Sequence, residues 1–189
     1  MAEFFLELFS EEIPPKLQAN VRKSLLVDFN KFFEENNIKT KGSITAFSTP
    51  NRVAINFSYI SKVVLKKSQE IRGPSLNSKP EALEGFLKSY NIKKSQVDLK
   101  STEKGKFYFY KISEKKVETY DLLKKNLPLI LEKISWKKSM KWGENQMFWG
   151  RPLKSILALF NEKKIDFDFH HLKSSNSTFI DKDFEEKLK

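Results

Sequence analysis

The apolar positions at the start of the chain predict a buried strand followed by an amphipathic helix. Residues Glu3–Phe9 are rich in strand-forming side chains, and the sequence SEEIPP at residues 10–15 ends that strand. Proline in a first helical turn sacrifices no hydrogen bond, and the glutamate pair suits the positive end of the helix dipole. We expect the helix to end near Asn36–Asn37. Its apolar face consists of Leu17, Val21, Leu25, Phe29, Phe32 and Phe33.

The next apolar segments predict a β-hairpin. Residues Ile44–Phe47 and Val53–Tyr59 have strand composition, and Thr49-Pro50-Asn51 between them is typical of a tight turn. Residues 62–67 either extend this sheet or begin a loop.

A second helix and a second hairpin are predicted between residues 80 and 112. Pro80 opens a helix that ends near Tyr90. Alternating Phe and Tyr make residues 97–102 and 107–112, turned at Lys104-Gly105, the clearest strand pair. The residues of this helix that we expect to face inward are Ala82, Leu83, Phe86 and Leu87.

The last third of the chain predicts a third helix and a final hairpin. Thr119 is a candidate cap for a helix through Leu131, and Pro128 inside that helix predicts a kink or a break. After a Trp-rich segment, Ile156–Phe160 and Ile165–Phe169 form the final predicted hairpin.

Together these elements predict an α+β protein with mixed or antiparallel sheets and packed helices. The order strand, helix, strand, strand, helix, strand over residues 3–112 is that of a ferredoxin-like sandwich, which we expect for the first lobe. A polar run at 113–116 suggests a boundary. The predicted divisions are a first lobe at 1–115, a second α+β lobe at 116–172 with the Trp-rich segment and the final hairpin, and a loosely held polar tail at 173–189.

Composition excludes several classes of protein. The chain is 39% hydrophobic and 31% charged, so it is neither disordered nor membrane-embedded, and no apolar run approaches the roughly 18 residues that span a bilayer. The absence of cysteine excludes disulfides and thiolate metal sites. Glu3 and Glu7 within the first apolar stretch argue against a secretory signal. We therefore expect a cytoplasmic protein without a membrane partner.

The net charge of +11 has two interpretations. Only four of the 35 basic residues are Arg, and a Lys-rich composition also arises from mutational drift in an AT-rich genome. The region 100–141 nevertheless holds twelve Lys against five acidic residues, which could steer a polyanion towards one face. Both interpretations stay open at this stage.

Five residues are candidates for binding RNA or a partner. Lys138, Lys141 and Trp142 lie in a Trp- and Lys-rich segment that either packs its Trp down with solvated Lys or presents cations and rings to unpaired nucleotides. Arg52 and Arg151 are isolated guanidinium groups in rigid proline-containing contexts. Each either makes a specific planar contact or anchors an internal ion pair with Glu11 or Glu12.

We expect no catalytic, cofactor-binding or metal-binding residue in this chain. It contains no phosphate-binding glycine loop and no nucleophile elbow among its six glycines. His170 and His171, taken as strand neighbours, would point to opposite faces and could not hold one ion together.

Several short motifs in order give the chain a resemblance to a known family. They are ELFSEEIP at 7–14, FSTPNR at 47–52, RGP at 72–74 with GF at 85–86, KSMKW at 138–142 and RPL at 151–153. In this order they resemble the N-terminal portion of the β subunit of the bacterial heterotetrameric glycyl-tRNA synthetase. The chain is much shorter than members of that family. It also lacks the Gly-His-Arg-Phe that usually follows the motif near Thr178.

The resemblance implies a function in aminoacylation. In that family the α subunit carries the glycine and ATP sites, and the β subunit binds tRNA and is required for aminoacylation in an α2β2 enzyme. The implied partners are the α subunit and tRNA-Gly, not DNA, and ATP would be used by the α subunit. The residues alone leave two alternatives, which are a stand-alone basic RNA-binding module and a structural interaction domain without RNA affinity.

Overall fold

The computed structural model describes residues 1–66, 68–103, 105–142, 144, 146–180 and 187–188. The helices in these ranges are α1 (Pro15–Glu35), α2 (Pro80–Tyr90), the short 3₁₀ turn Lys94–Gln96, and α3 (Thr119–Glu132). The strands are β1 (Ala2–Ser10), β2 (Ile44–Thr49), β3 (Arg52–Ile60), β4 (Val63–Lys66), β5 (Gln69–Ser75), β6 (Val97–Thr102), β7 (Gly105–Ile112), β8 (Lys115–Glu118), β9 (Met140–Lys141), β10 (Phe148–Trp149), β11 (Leu153–Phe160), β12 (Lys163–Lys164), β13 (Asp168–Phe169), β14 (Leu172–Ser175), β15 (Thr178–Phe179) and β16 (Lys187–Leu188).

The chain forms two compact units, one inserted into the sequence of the other. Unit 1 comprises Met1–Val64 and Val117–Lys189, and unit 2 comprises Leu65–Lys116. The strands at the two crossings, β4 and β8, pair with each other. Residues 63–66 therefore form a strand outside the main sheet, and Lys67 of the predicted segment lies outside the described residues. The predicted division at 115 falls near the end of unit 2, and the crossing near residue 64 has no counterpart among the predicted boundaries.

Unit 1 has the topology of a ferredoxin-like sandwich. Its core strands follow the order β11-β1-β3-β2, with every neighbouring pair antiparallel. In sequence the elements are β1, α1, β2, β3, α3 and β11, which is the split βαβ arrangement. The α+β class is thus confirmed. The predicted ferredoxin-like lobe at 3–112 is wrong in its second half, because α3 and β11 complete the sheet. The helix and hairpin at 80–112 pair within unit 2 instead.

The core of unit 1 lies between the helices and one face of the sheet. Alternate residues of β1, such as Phe4 and Leu6, are fully buried there, and the predicted apolar face of α1 is buried with them. Four phenylalanines form its aromatic centre, with Phe57 meeting the rings of Phe33, Phe29 and Phe4 at centroid distances of 4.7, 5.7 and 6.0 Å. Rings at these separations add geometric specificity to the apolar burial.

Helix α3 contradicts the predicted break at Pro128 and the predicted cap at Thr119. The helix continues through Pro128 without a break. The carbonyl that loses its amide partner belongs to Lys124, whose exposed position lets solvent satisfy it. Thr119 is not a cap, because its hydroxyl donates to the carbonyl of Ser61 at 2.5 Å. That bond fixes the start of α3 to the end of β3.

The region after β11 differs from the predicted final hairpin. Asn161 and Glu162 form a two-residue turn with φ of 50° and 66°, so β11 pairs with Lys163–Lys164 and the predicted strand at 165–169 is wrong except for β13. The pair β13 and β14 is joined by His170 and His171, which form a turn and are not strand neighbours. His170 has φ of 52°, and its Nε2 lies 3.0 Å from an Oε of Glu132.

The first part of the predicted loose tail is well held. Strand β14 runs parallel to β11, and Ser174 is buried there. Its hydroxyl donates to the carbonyl of Ile165 at 2.7 Å and accepts the amide of Phe167 at 2.9 Å. The tail prediction is therefore wrong for residues 173–180, while 181–186 and 189 lie outside the described residues. None of the helices that the structure describes combines the length and apolar character that crossing a bilayer requires.

Unit 2 is a three-stranded antiparallel sheet, β5-β7-β6, with α2 against β5. The hairpin at 97–112 is confirmed, although Lys104 of its predicted turn lies outside the described residues. The described residues of this unit include no buried side chain. Leu83, Phe86 and Leu87 are half-buried as the amphipathic pattern predicts, whereas Ala82 is exposed and its predicted inward orientation is wrong.

The aromatic centre of unit 1 generates a stability prediction. Phe57→Ala should lower the free energy of unfolding by about 3–5 kcal/mol, because it removes the ring shared by three other phenylalanines. Phe47→Ala, on the neighbouring strand and 53% exposed, is the matched control and should cost less than about 1 kcal/mol. Urea unfolding followed by circular dichroism gives both values. Equal costs for the two variants would contradict the described core.

Candidate nucleic-acid or partner interface

Three of the proline-containing segments meet at one end of the main sheet of unit 1. The amide of Ser10 donates to the carbonyl of Asn51 at 2.9 Å, and the amide of Ile13 donates to that of Pro50 at 2.6 Å. The amide of Glu11 donates to the carbonyl of Pro152 at 2.9 Å. Prolines lack an amide hydrogen but keep a carbonyl acceptor, so they close these contacts while fixing the backbone.

A groove opens beside this junction. It consists of two cavities of about 580 and 590 Å³ that share Pro14, Trp142 and Arg151. We call the two together the Trp–Arg groove. Glu11, Glu12, Pro15 and Pro152 also line the first cavity, and Trp136, Lys137, Lys138, Ser139, Met140 and Gly150 also line the second.

Three tryptophans fix the wall of the groove. The indole nitrogen of Trp142 donates to the carbonyl of Trp149 at 2.9 Å, and the ring centroids of Trp136 and Trp149 are 5.1 Å apart. The Trp136 ring lies so close to Gly150 that a Cβ on that residue would be 2.2 Å from it. The backbone leading into Arg151 is therefore held by the Trp136 ring packed on Gly150 and by the hydrogen bond from Trp142 to the carbonyl of Trp149. The indole nitrogen of Trp136 is buried without a hydrogen-bond partner among the described residues.

Arg151 is half-buried in the groove and has no hydrogen-bonding or ionic partner among the described residues. Two other arginines, by contrast, do have contacts. Arg22 contacts the hydroxyl of Ser48, and Arg72 lies over the ring of Phe107. Of the two alternatives for Arg151, an ion pair with Glu11 or Glu12 is not found among the described residues, and Glu11 pairs with Lys154 at 2.6 Å. No residue in the described part of the chain occupies the donors of Arg151, and a charge-assisted hydrogen bond is strong at such a half-buried position.

Arg52 has the opposite environment. Its Nη1 donates to an Oε of Glu7 at 2.8 Å and to the hydroxyl of Thr178 at 2.9 Å, and its Nη2 donates to the carbonyl of Ile180 at 2.8 Å and to that of Phe179. Its guanidinium also lies 4.6 Å from the ring centroid of Phe9. Arg52 is therefore the anchor of an internal ion pair, but its partner is Glu7 and neither Glu11 nor Glu12.

The structure brings three of the five candidate residues together. Lys138, Trp142 and Arg151 line the groove, and Arg52 does not. Lys141 does not line it either, since its Nζ donates to Gln146 at 2.6 Å and lies 5.4 Å from the ring centroid of Phe148. Sequence reasoning missed Trp136 and Lys137. Their position follows from the packing of Trp136 on Gly150, a tertiary contact between residues 14 positions apart in the sequence.

The chemistry available in the groove is binding. Lys137, Lys138 and Arg151 supply positive charge, and the indoles of Trp136 and Trp142 supply apolar rings. Of the two carboxylates in the groove, Glu11 and Glu12, the first is paired with Lys154. Among the residues that the structure describes, no cluster of three or more His, Asp and Glu side chains could hold a metal ion.

The contact between Trp136 and Gly150 gives a test of the groove wall. Gly150→Ala should destabilise the chain by about 1–3 kcal/mol and displace the indole, because the new methyl group overlaps it. Gly85→Ala is the matched control, because nothing lies within 4 Å of its Cβ position in α2, and it should stabilise by up to about 1 kcal/mol. Urea unfolding gives the energies, and tryptophan fluorescence reports the displacement. An unchanged emission spectrum together with wild-type stability in Gly150→Ala would contradict the described wall.

The internal pair of Arg52 gives a second test. Glu7→Gln should cost about 3 kcal/mol of stability, because it leaves a partly buried guanidinium without its counter-ion. The side chains of Glu7 and Arg52 are only 11% and 22% exposed. Glu35→Gln, which removes a carboxylate that is 63% exposed from its pair with Lys31, should cost less than about 0.5 kcal/mol. Thermal unfolding of both variants at low salt measures the difference, and similar values would show that the Glu7 pair is not structural.

Comparison with known proteins identifies the family. The sequence profile described as "Glycyl-tRNA synthetase beta subunit" matches residues 4–188. The chain is 36% identical to the glycine–tRNA ligase beta subunit of Rickettsia peacockii (strain Rustic) and 37% identical to that of Rickettsia prowazekii (strain Madrid E), each over 179 residues. It is 38% identical over 181 residues to that of Rickettsia bellii (strain OSU 85-389). Each alignment covers 95% of this chain and 27% of the relative. The chain belongs to the glycyl-tRNA synthetase beta subunit family, and it corresponds to the N-terminal portion of that subunit.

Proposed function

We propose that this chain binds tRNA-Gly and contributes to assembly with the catalytic α subunit in ATP-dependent glycyl-tRNA aminoacylation. The observation that carries the proposal is the guanidinium of Arg151, which has no partner within the described ranges and lies in a groove lined by Trp142, Lys137 and Lys138. The chain spans 27% of the length of the curated relatives it matches. In this proposal ATP and glycine are bound by the α subunit, within a cytoplasmic heterotetramer.

An RNA ligand suits the groove better than an apolar one. A guanidinium recognises a phosphate through two parallel hydrogen bonds, and lysines beside it act as point charges. The half-buried indole of Trp142 can stack through its ring face on an unpaired base. The carboxylates of Glu11 and Glu12 lie at the other cavity. Their negative charge disfavours a nucleic-acid backbone in that cavity, so in this proposal the phosphate contact lies on the side of Arg151 that faces Lys137 and Lys138.

Two other functions make different predictions. A stand-alone basic RNA-binding module would bind unrelated single strands as tightly as tRNA-Gly and would need no α subunit. A structural interaction domain would bind the α subunit without measurable RNA affinity, its Lys excess being compositional drift. Sedimentation of the chain with purified α subunit, with tRNA-Gly and with an unrelated oligonucleotide separates the three. If the chain binds neither the α subunit nor tRNA-Gly, the proposed function is overturned.

The contribution of Arg151 has a direct test. Arg151→Ala should weaken binding of a tRNA-Gly transcript by about tenfold, and the dependence of log affinity on log salt should become shallower by about one. Arg151→Lys should restore part of the affinity, because it keeps the charge and loses the planar fork. Fluorescence anisotropy with labelled tRNA across a salt series measures both quantities.

The matched control is Lys41→Ala. This variant removes one positive charge from an exposed position near Tyr59, at the opposite end of β3. It should change the affinity by less than about twofold. If Lys41→Ala weakens tRNA binding as much as Arg151→Ala does, the effect is one of net charge and the groove is not the contact.

A further inference from the structure

The sheet of unit 2 has two different faces. Residues directly opposite each other in antiparallel strands share a face, so Tyr110 lies with Ile71 and Val97, and Phe109 lies with Arg72 and Asp98 on the other side. The ring of Tyr90 in α2 is 6.1 Å from that of Tyr110. The helix therefore belongs to the Tyr110 face.

The opposite face carries two half-buried phenylalanines in contact with cations. Arg72 has its guanidinium carbon 3.6 Å from the ring centroid of Phe107, and the Nζ of Lys100 lies 5.6 Å from the centroid of Phe109. Lys100 also pairs with Glu70 on the same face. We call Phe107, Phe109, Arg72 and Lys100 the aromatic platform. Within the described residues, no aromatic ring is paired with either phenylalanine.

The charge of the molecule is concentrated in this unit. Residues 65–116 contain thirteen Lys and Arg against six Asp and Glu, so 52 residues carry +7 of the net charge of +11. The remaining 137 residues carry +4. The same small unit therefore combines most of the net positive charge with a sheet face that carries two half-buried rings, and a polyanion with flat apolar groups complements both properties.

We propose that the aromatic platform binds unpaired nucleotides of RNA by stacking. One base would lie on Phe109, and another on the outer side of the Arg72 guanidinium, which already stacks on Phe107. Planar guanidinium groups and aromatic rings both accept bases in this way. Lysines around the sheet would contact the phosphates, and the carboxylates of Glu70 and Asp98 can accept hydrogen bonds from base amino groups. The platform is a different surface from the Trp–Arg groove, and it rests on the proposed function only for the identity of the natural RNA.

The test uses the full 189-residue chain and a labelled 12-nucleotide oligouridylate. The wild-type chain should bind it, and Phe107→Leu/Phe109→Leu should bind at least about tenfold more weakly, because Leu keeps apolar volume but offers no ring for stacking. Tyr108→Leu is the matched control. It removes a ring from the same strand on the opposite face and should change the affinity by less than about twofold. Circular dichroism establishes that each variant is folded.

A second variant keeps the test independent of the stability of unit 2. Arg72→Lys retains the charge and removes the planar group, and it should weaken oligouridylate binding by about threefold or more while leaving the salt dependence unchanged. The proposal is overturned if the wild-type chain fails to bind the oligonucleotide. It is also overturned if Tyr108→Leu is as damaging as the double variant, or if the double variant and Arg72→Lys both bind like wild type. Arg151→Ala should leave oligouridylate binding within about twofold. If the wild-type chain binds oligouridylate but not tRNA-Gly, the groove proposal alone fails. If it binds tRNA-Gly but not oligouridylate, the platform proposal alone fails.

Discussion

The ion pair between Glu7 and Arg52 is the constraint on which the arrangement of unit 1 depends. Glu7 lies in the central strand of the sheet and is almost completely buried. A carboxylate at such a position is tolerated only with a counter-ion and further hydrogen bonds. Arg52, on the neighbouring strand, supplies the charge, and Thr178 supplies a hydroxyl to both groups. Because the guanidinium also binds the carbonyls of Phe179 and Ile180, one pair fixes β1, β3 and the segment at 178–180 together.

The two candidate arginines, Arg52 and Arg151, have different environments and therefore different roles. Arg52 uses its donors to neutralise a buried acid and to hold backbone carbonyls, so its contribution is to stability. Arg151 follows the Trp149-Gly150 step, which is held by the Trp136 ring and by the hydrogen bond from Trp142. Its guanidinium has no internal partner among the described residues. A rigid support beneath a free charged group lowers the entropy lost when a ligand binds. Arg151 thus lies on a supported stretch of backbone just before β11, an inner strand of the sheet.

The parts of the fold that local sequence determines could be predicted. The apolar spacing of α1 and the alternation of Phe and Tyr in β7 each reflect one element and its solvent-facing side, and both elements appear where the pattern indicates. The partner of β1 could not be predicted, because β11 lies about 150 residues away and its apolar pattern fits any sheet edge. Because the sequence pattern does not show which strands pair, it includes the hairpin at 97–112 in the ferredoxin-like order. That hairpin pairs within unit 2 instead.

The site was predictable only in its residue types. Isolated arginines beside prolines and a Lys- and Trp-rich segment indicated planar recognition, but spacing alone cannot say which guanidinium meets a carboxylate. Glu7 is two residues before Phe9, which is opposite Arg52. That relation requires the register between β1 and β3, and the contribution of Thr178 requires the course of the chain after β14. Both are tertiary properties.

The most direct test asks whether the Trp–Arg groove and the aromatic platform contact RNA. The chain is cross-linked by ultraviolet light to 4-thiouridine-labelled tRNA-Gly, and the linked peptides are mapped. We expect cross-links in two peptides. One contains residues 136–142 of the groove, and the other contains Phe107 and Phe109 of the platform. Addition of an excess of unlabelled tRNA-Gly should suppress both. Cross-links confined to other segments, such as the exposed side of α1, would contradict this expectation.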